Sequence, residues 1–193
     1  MQQECLSQTI MTSRRVFLTL LTTLLASCAS LPDDSPVVEQ LDDETGLTIA
    51  RLGKPLELYR ETFRKETAGK FAFLGPFETN QQGRRELYLW VALPLEDPAA
   101  DVTPTYLVNG KALSLGTPGR DPDAAGLRRP PYQIPTSWIA MYYYRIEHDV
   151  VAQLGEATSI RIQTVENTKA GPLRTNYSFD VAGDPRLRAF ADR

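Results

Sequence analysis

From Gly46 onward, apolar and polar positions alternate with a period of about two, which predicts short β-strands. Leu47 and Ile49 alternate with Thr48 and Ala50, and Leu56 and Leu58 with Glu57 and Tyr59. Phe71, Phe73 and Phe77 share one parity, interrupted by Gly75-Pro76, which reads as a bulge or an edge. Asn80-Gln81-Gln82-Gly83 supplies a turn, and Leu87, Leu89, Val91 and Leu93 then mark a strand with a strong inward face. Thr105 to Val108, Asn109-Gly110 and Lys111 to Leu115 spell a hairpin with a two-residue turn, because Asn and Gly tolerate the left-handed backbone that this turn requires. Trp138 to Ile146, Thr158 to Val165 and Leu173 to Val181 complete the strands.

Two short helices interrupt this pattern. His148 to Leu154 places Val150, Val151 and Leu154 on one face, with Gly155 as a natural stop. Asp184-Pro185 sets a capping residue before a proline at the first helical position, and Leu187 with Phe190 forms the apolar stripe that follows. The expected architecture is a mainly β, antiparallel β-sandwich with two short helices. An immunoglobulin-like arrangement is among its forms, and an open β-barrel is the main rival.

Gly116 to Pro135 shows no periodicity and is rich in Pro and Gly. Loops of this length in a compact domain are commonly functional or disordered. Arg128 and Arg129 beside Tyr132 make it the first candidate contact surface. A second lies on the strand from Arg84 to Leu93, where Tyr88 and Trp90 occupy the parity opposite the leucines. These rings either face outward as a partner-binding patch, flanked by Arg84, Arg85 and Arg145, or lie beneath the helices or the long loop. Trp138, Tyr142 and Tyr144 likewise share a parity.

The N-terminal region has a different pattern. Ser13-Arg14-Arg15 precedes an apolar run from Val16 to Ala26, which ends in Leu25-Ala26-Ser27-Cys28. Eleven helical residues span about 16 Å, roughly half a bilayer core, so the run reads as a secretory signal and not as a membrane span. Leu25-Ala26-Ser27-Cys28 resembles the lipobox of bacterial lipoproteins. That resemblance implies diacylglyceryl transfer to the Cys28 thiol, followed by cleavage that leaves Cys28 as the new N-terminus. At about 0.8 kcal/mol per buried CH₂, two or three acyl chains anchor a protein durably. Ala29, which is not Asp, implies transfer to the outer membrane in a two-membrane bacterium. Ser13-Arg14-Arg15-Val16-Phe17-Leu18 also resembles the twin-arginine export motif, with Thr19 in place of its usual Lys; an ordinary Sec signal remains the alternative. Met11 is the expected true start. The resulting division is a signal peptide over 1–27, a lipidated Cys28 with a flexible acidic tether over 28–45, and a single domain over 46–193.

Composition narrows the chemistry. The chain has 193 residues, with 21 Lys+Arg against 24 Asp+Glu, a net charge of −3. This is a poor basis for nucleic-acid binding, which needs basic surface to displace counterions. Processing would remove Cys5 and acylate Cys28, leaving no thiol for a disulfide or a metal. The single histidine, His148, sits at a helix start, where a surface role is commonplace, and there is no G-x-S-x-G elbow. No phosphate-binding glycine motif occurs, and one histidine is too few for a typical zinc site. The expectation is therefore a non-enzymatic, outer-membrane-anchored periplasmic binding or assembly module with no cofactor or metal, whose partner is an envelope protein or glycan. The alternatives are a carboxylate-dependent glycan hydrolase and a purely structural accessory lipoprotein.

Overall fold

A computed structural model describes residues 36–61, 71–95, 97, 99–134, 139–169, 171–180 and 184–193. The signal residues Arg14, Arg15, Leu25, Ala26 and Ser27, the lipidation position Cys28, and Trp138 lie outside the described residues, as do Cys5 and Met11. The strands are β1 (Val37–Asp42), β2 (Leu47–Leu52), β3 (Leu56–Arg60), β4 (Phe71–Gln81), β5 (Arg84–Pro94), β6 (Thr105–Val108), β7 (Lys111–Leu113), β8 (Ile139–Ile146), β9 (Ser159–Thr168) and β10 (Gly171–Asp180). The helices are α1 (His148–Gly155) and α2 (Pro185–Ala191), with a 3-10 turn at Pro122–Ala125.

Every strand ladder is antiparallel. The path runs β8-β5-β4-β3-β10-β9-β6-β7, and β2 with β1 outside it shares the β4 edge with β3. This sheet folds over itself, so that the Tyr106 hydroxyl of β6 donates to that of Tyr144 on β8 at 3.0 Å. The fold is mainly antiparallel β and sandwich-like, with two helices among the described residues.

Between the folded layers lie Leu74, Leu89, Val91, Leu93, Tyr142 and Tyr144 on one side, and Tyr106, Ile160, Ile162 and Tyr177 on the other, all buried. Buried hydroxyls are expected to find partners. The Tyr142 hydroxyl donates to the Val102 carbonyl (3.0 Å) and that of Tyr177 to the Pro94 carbonyl (3.2 Å). The helices add Val150, Val151, Leu154, Leu187 and Phe190 to the same core.

Local signals explain most of the elements. Gln82 and Gly83 have φ of 53° and 91°, which closes the β4–β5 hairpin, and the Gly83 N–H donates to Asn80 Oδ1 at 2.9 Å. Asn109 and Gly110, at 51° and 75°, form the β6–β7 turn. Asp184 caps α2 by accepting from the Arg186 N–H (2.8 Å) and pairs with the Arg186 guanidinium (2.6 Å). Burial pushes the Asp184 carboxyl up, but these Arg186 hydrogen bonds outweigh it and hold the group below the usual carboxylate range.

Two expectations are corrected. The tether does not extend to residue 45, because Val37–Asp42 is strand β1, paired with β2 over its whole length. An edge strand with mostly exposed side chains carries little hydrophobic alternation, so its acidic composition reads as spacer. Gly155 is the last helical residue of α1, as expected of a stop, and an added Cβ would lie 2.9 Å from Ala191 Cβ. Its small size lets α1 and α2 pack closely. Finally, the parity on β5 does not separate a core face from a solvent face. Tyr88 through Leu93 are all buried, because β5 lies between β4 and β8 and both its faces are covered.

Candidate functional site

Cross-strand register fixes what shares the second face of β5. Trp90 lies between Gly75 on β4 and Tyr143 on β8, and Tyr88 lies between Phe77 and Arg145. The β2 residues Ile49 and Arg51 extend this face past Thr79 and Phe77. It is covered by the loop after β7, which supplies buried Ala125, Leu127 and Tyr132. The covering begins at the edge of β8, where Gly119 and Tyr143 exchange two backbone hydrogen bonds of 2.9 Å.

Tyr132 anchors this cover. Between the pairs Arg51–Phe77 and Leu56–Leu74, four residues of the β2–β3 segment oppose only Gly75 and Pro76. Proline has no N–H to complete a rung there. The Tyr132 hydroxyl fills the gap, accepting from the Leu52 N–H at 3.2 Å and donating to the Pro76 carbonyl at 2.5 Å. Its ring lies 5.1 Å from that of Trp90 and 5.5 Å from the Arg51 guanidinium. Burial pushes the Tyr132 phenol far above its ordinary pKa.

A polar cluster borders the covered face. Tyr88 stacks on Phe77 (5.2 Å between centroids), and its hydroxyl donates to Glu86 at 2.7 Å. Glu86 also meets Arg84 at 2.8 Å and Arg145 at 3.3 Å. The Tyr88 hydrogen bond, aided by both arginines, holds the Glu86 carboxyl below its usual range. Burial, reinforced by Glu86, pushes the Tyr88 phenol up to about 12. Arg85 projects to the other face and pairs with Glu78 at 2.5 Å.

The expected contact residues therefore divide. Arg128 and Arg129 are exposed on the loop, with Arg129 3.4 Å from Glu44 across the β1–β2 turn. Tyr132, Tyr88 and Trp90 are buried, with relative exposures of 2%, 5% and 0%, and cannot form a direct contact patch. The physical reason is the same for all three: the long loop packs onto the β4–β5–β8 face and removes the rings from water. Arg51, which sequence reasoning missed, lies beside Tyr132, but no periodicity identifies a loop residue's distant partner. Gly75-Pro76 was the one visible signal, and it reads as a bulge until Tyr132 is placed on it.

Concavities flank the cover. A groove of about 570 Å³ runs between Gln40, Leu41, Ile49 and Arg51 on the sheet and Arg128 and Tyr132 on the loop. A smaller pocket of about 280 Å³ lies on the other side, lined by Thr45, Thr79, Glu86, Tyr88 and Gly126. The groove joins acidic Asp42, Asp43 and Glu44 to basic Arg51, Lys54, Arg128 and Arg129, an arrangement suited to charge-directed recognition. Among the described residues, no group of three or more His, Cys, Asp or Glu side chains is placed to hold a metal ion, and no helix is long and apolar enough to cross a membrane. His148 is an exposed residue at the start of α1. No protein-family model matches the chain, and no curated protein or solved structure matches it either.

Proposed function

We propose that this chain is a non-enzymatic envelope lipoprotein, held to the outer membrane through Cys28, whose periplasmic domain binds another envelope component at the groove beside Arg128 and Arg129. The observation that carries the reading is the ordered series Arg14-Arg15, apolar run and Leu25-Ala26-Ser27-Cys28. The first described residue, Pro36, follows Cys28 by only eight positions, a reach of less than about 30 Å for extended chain. The folded body would thus sit close to the leaflet. The loop carrying Arg128 and Arg129 is held in place by Tyr132 and Gly119, and a preorganised surface loses less entropy on binding.

Radiolabelled palmitate tests the anchor. It is expected to label the wild-type protein and not Cys28→Ser, which should appear in the soluble periplasmic fraction. Absence of label from the wild type would overturn the lipoprotein reading. Site-specific crosslinking tests the surface: partner capture should fall in Arg128→Ala/Arg129→Ala, and undiminished capture would discard the groove. Tyr132 is unsuitable for that test because its substitution would disrupt the loop itself.

A further inference from the structure

The outermost strand, β1, pairs only with β2 among the described residues. Its hydrogen-bonding direction follows from one bond, in which the Gly53 N–H donates to the Pro36 carbonyl at 3.3 Å. Antiparallel ladders alternate between residues that bond the neighbour and residues that do not. Val38, Gln40 and Asp42 therefore turn their backbone groups toward β2, while Glu39 and Leu41 turn theirs outward. Both residues are exposed, and Leu41, at 58%, is the most exposed large hydrophobic residue among the described residues.

Open edges invite an added strand. The charge on this edge selects what can add. Glu39, Asp42, Asp43 and Glu44 lie within six residues, against Arg193 on Glu39 and Arg129 on Glu44. The excess is acidic. A second copy is disfavoured, because it would bring two acidic edges together, and like charges facing one another destabilise a ladder.

We propose that the outer edge of β1 accepts an extended segment of a partner polypeptide as an additional strand. The segment carries Lys or Arg opposite Glu39 and Asp42 and an apolar side chain opposite Leu41. Backbone groups of Glu39 and Leu41 supply the ladder, and the side chains supply selectivity. This surface adjoins the groove, which Gln40 and Leu41 also line, but it does not depend on the lipid anchor.

The test uses the purified protein with two capped peptides, Thr-Lys-Val-Thr-Lys-Val-Thr and its counterpart with Glu in place of Lys. Amide hydrogen exchange is read residue by residue by NMR. The lysine peptide at saturation should slow exchange at Glu39 and Leu41 about tenfold or more, and the glutamate peptide should not. Glu39→Lys should weaken binding of the lysine peptide about tenfold and improve that of the glutamate peptide. Leu41→Pro removes an outward donor while leaving the donors that face β2, and should abolish the protection at Glu39. If that variant does not fold, the Glu39→Lys exchange of preference decides alone. Unchanged exchange at both amides, equal effects of the two peptides, or self-association through β1 without peptide would overturn the proposal.

Discussion

A Cβ added to Gly75 would lie 2.5 Å from the ring of Tyr132, closer than any side chain tolerates. The missing side chain in the middle of β4 makes room for a ring from the loop 57 residues later in sequence, and the next residue, Pro76, supplies the carbonyl that its hydroxyl bonds. The irregular stretch of the sheet is thus the socket for the loop.

Gly75→Ala is expected to destabilise the domain by about 1–3 kcal/mol through overpacking. Tyr132→Phe should cost about 1–3 kcal/mol, because the Leu52 N–H and Pro76 carbonyl lose their partner while the packing remains. Urea unfolding measures both. In a double-mutant cycle, Gly75→Ala/Tyr132→Ala should cost less than the sum of the single changes, since removing the ring removes the clash.

Alkaline pH should unfold the protein. Burial raises Tyr88 and Tyr177 to about 12, and raises Tyr132 and Tyr143 beyond that, from an ordinary value of 10. A group whose folded pKa is raised keeps its full contribution below the unfolded value and loses it as pH rises through the folded one. Stability should therefore decline from about pH 10 upward. Thermal melts over pH 8–12 would show this, and Tyr132→Phe should flatten the slope.

Acid has the opposite sign at Glu86 and Asp184, whose carboxyls are held below their ordinary range. Their contribution is present above the unfolded pKa and is lost as pH falls through the folded one. Tyr88→Phe removes the hydrogen bond that leads the Glu86 shift, so a melt series below pH 5 should show a shallower acid limb in that variant.

Asn109 joins a turn to a distant strand. Its Oδ1 accepts from the Thr158 N–H (2.7 Å), the Thr158 hydroxyl (2.9 Å) and the Ser159 N–H (3.1 Å), while its φ of 51° suits the hairpin. Asn109→Gly keeps the turn and loses those bonds, with an expected loss of about 1–2 kcal/mol. Asn109→Ala adds backbone strain and should cost more. Denaturant midpoints for the two variants separate the effects.

Gly155→Val should destabilise the α1–α2 contact by about 1–3 kcal/mol, since Ala191 already lies within 2.9 Å of an added Cβ. Ala191→Gly should recover part of that loss in the same chemical-denaturation assay.

Elements governed by neighbours in sequence were legible from residue order. Asn109-Gly110 specified its turn because left-handed φ is a local property. Asp184-Pro185 specified the start of α2 because the cap and the fixed proline φ act within three residues. The inward leucines of β5 were legible because strand side chains alternate. β1 was not legible, since an exposed edge strand need not be apolar, and only pairing with β2 makes it a strand.

Sequence alone determined a mainly β chain with two short helices and a Pro/Gly-rich stretch of twenty residues from Gly116 to Pro135. The tertiary structure decided where the loop lies, and with it that Tyr88, Trp90 and Tyr132 are interior while Arg128 and Arg129 remain at the surface. The physical reason is range: turn and capping preferences act over a few bonds, whereas the fit of Tyr132 against Gly75, Pro76 and Leu52 exists only after separate strands have been brought together.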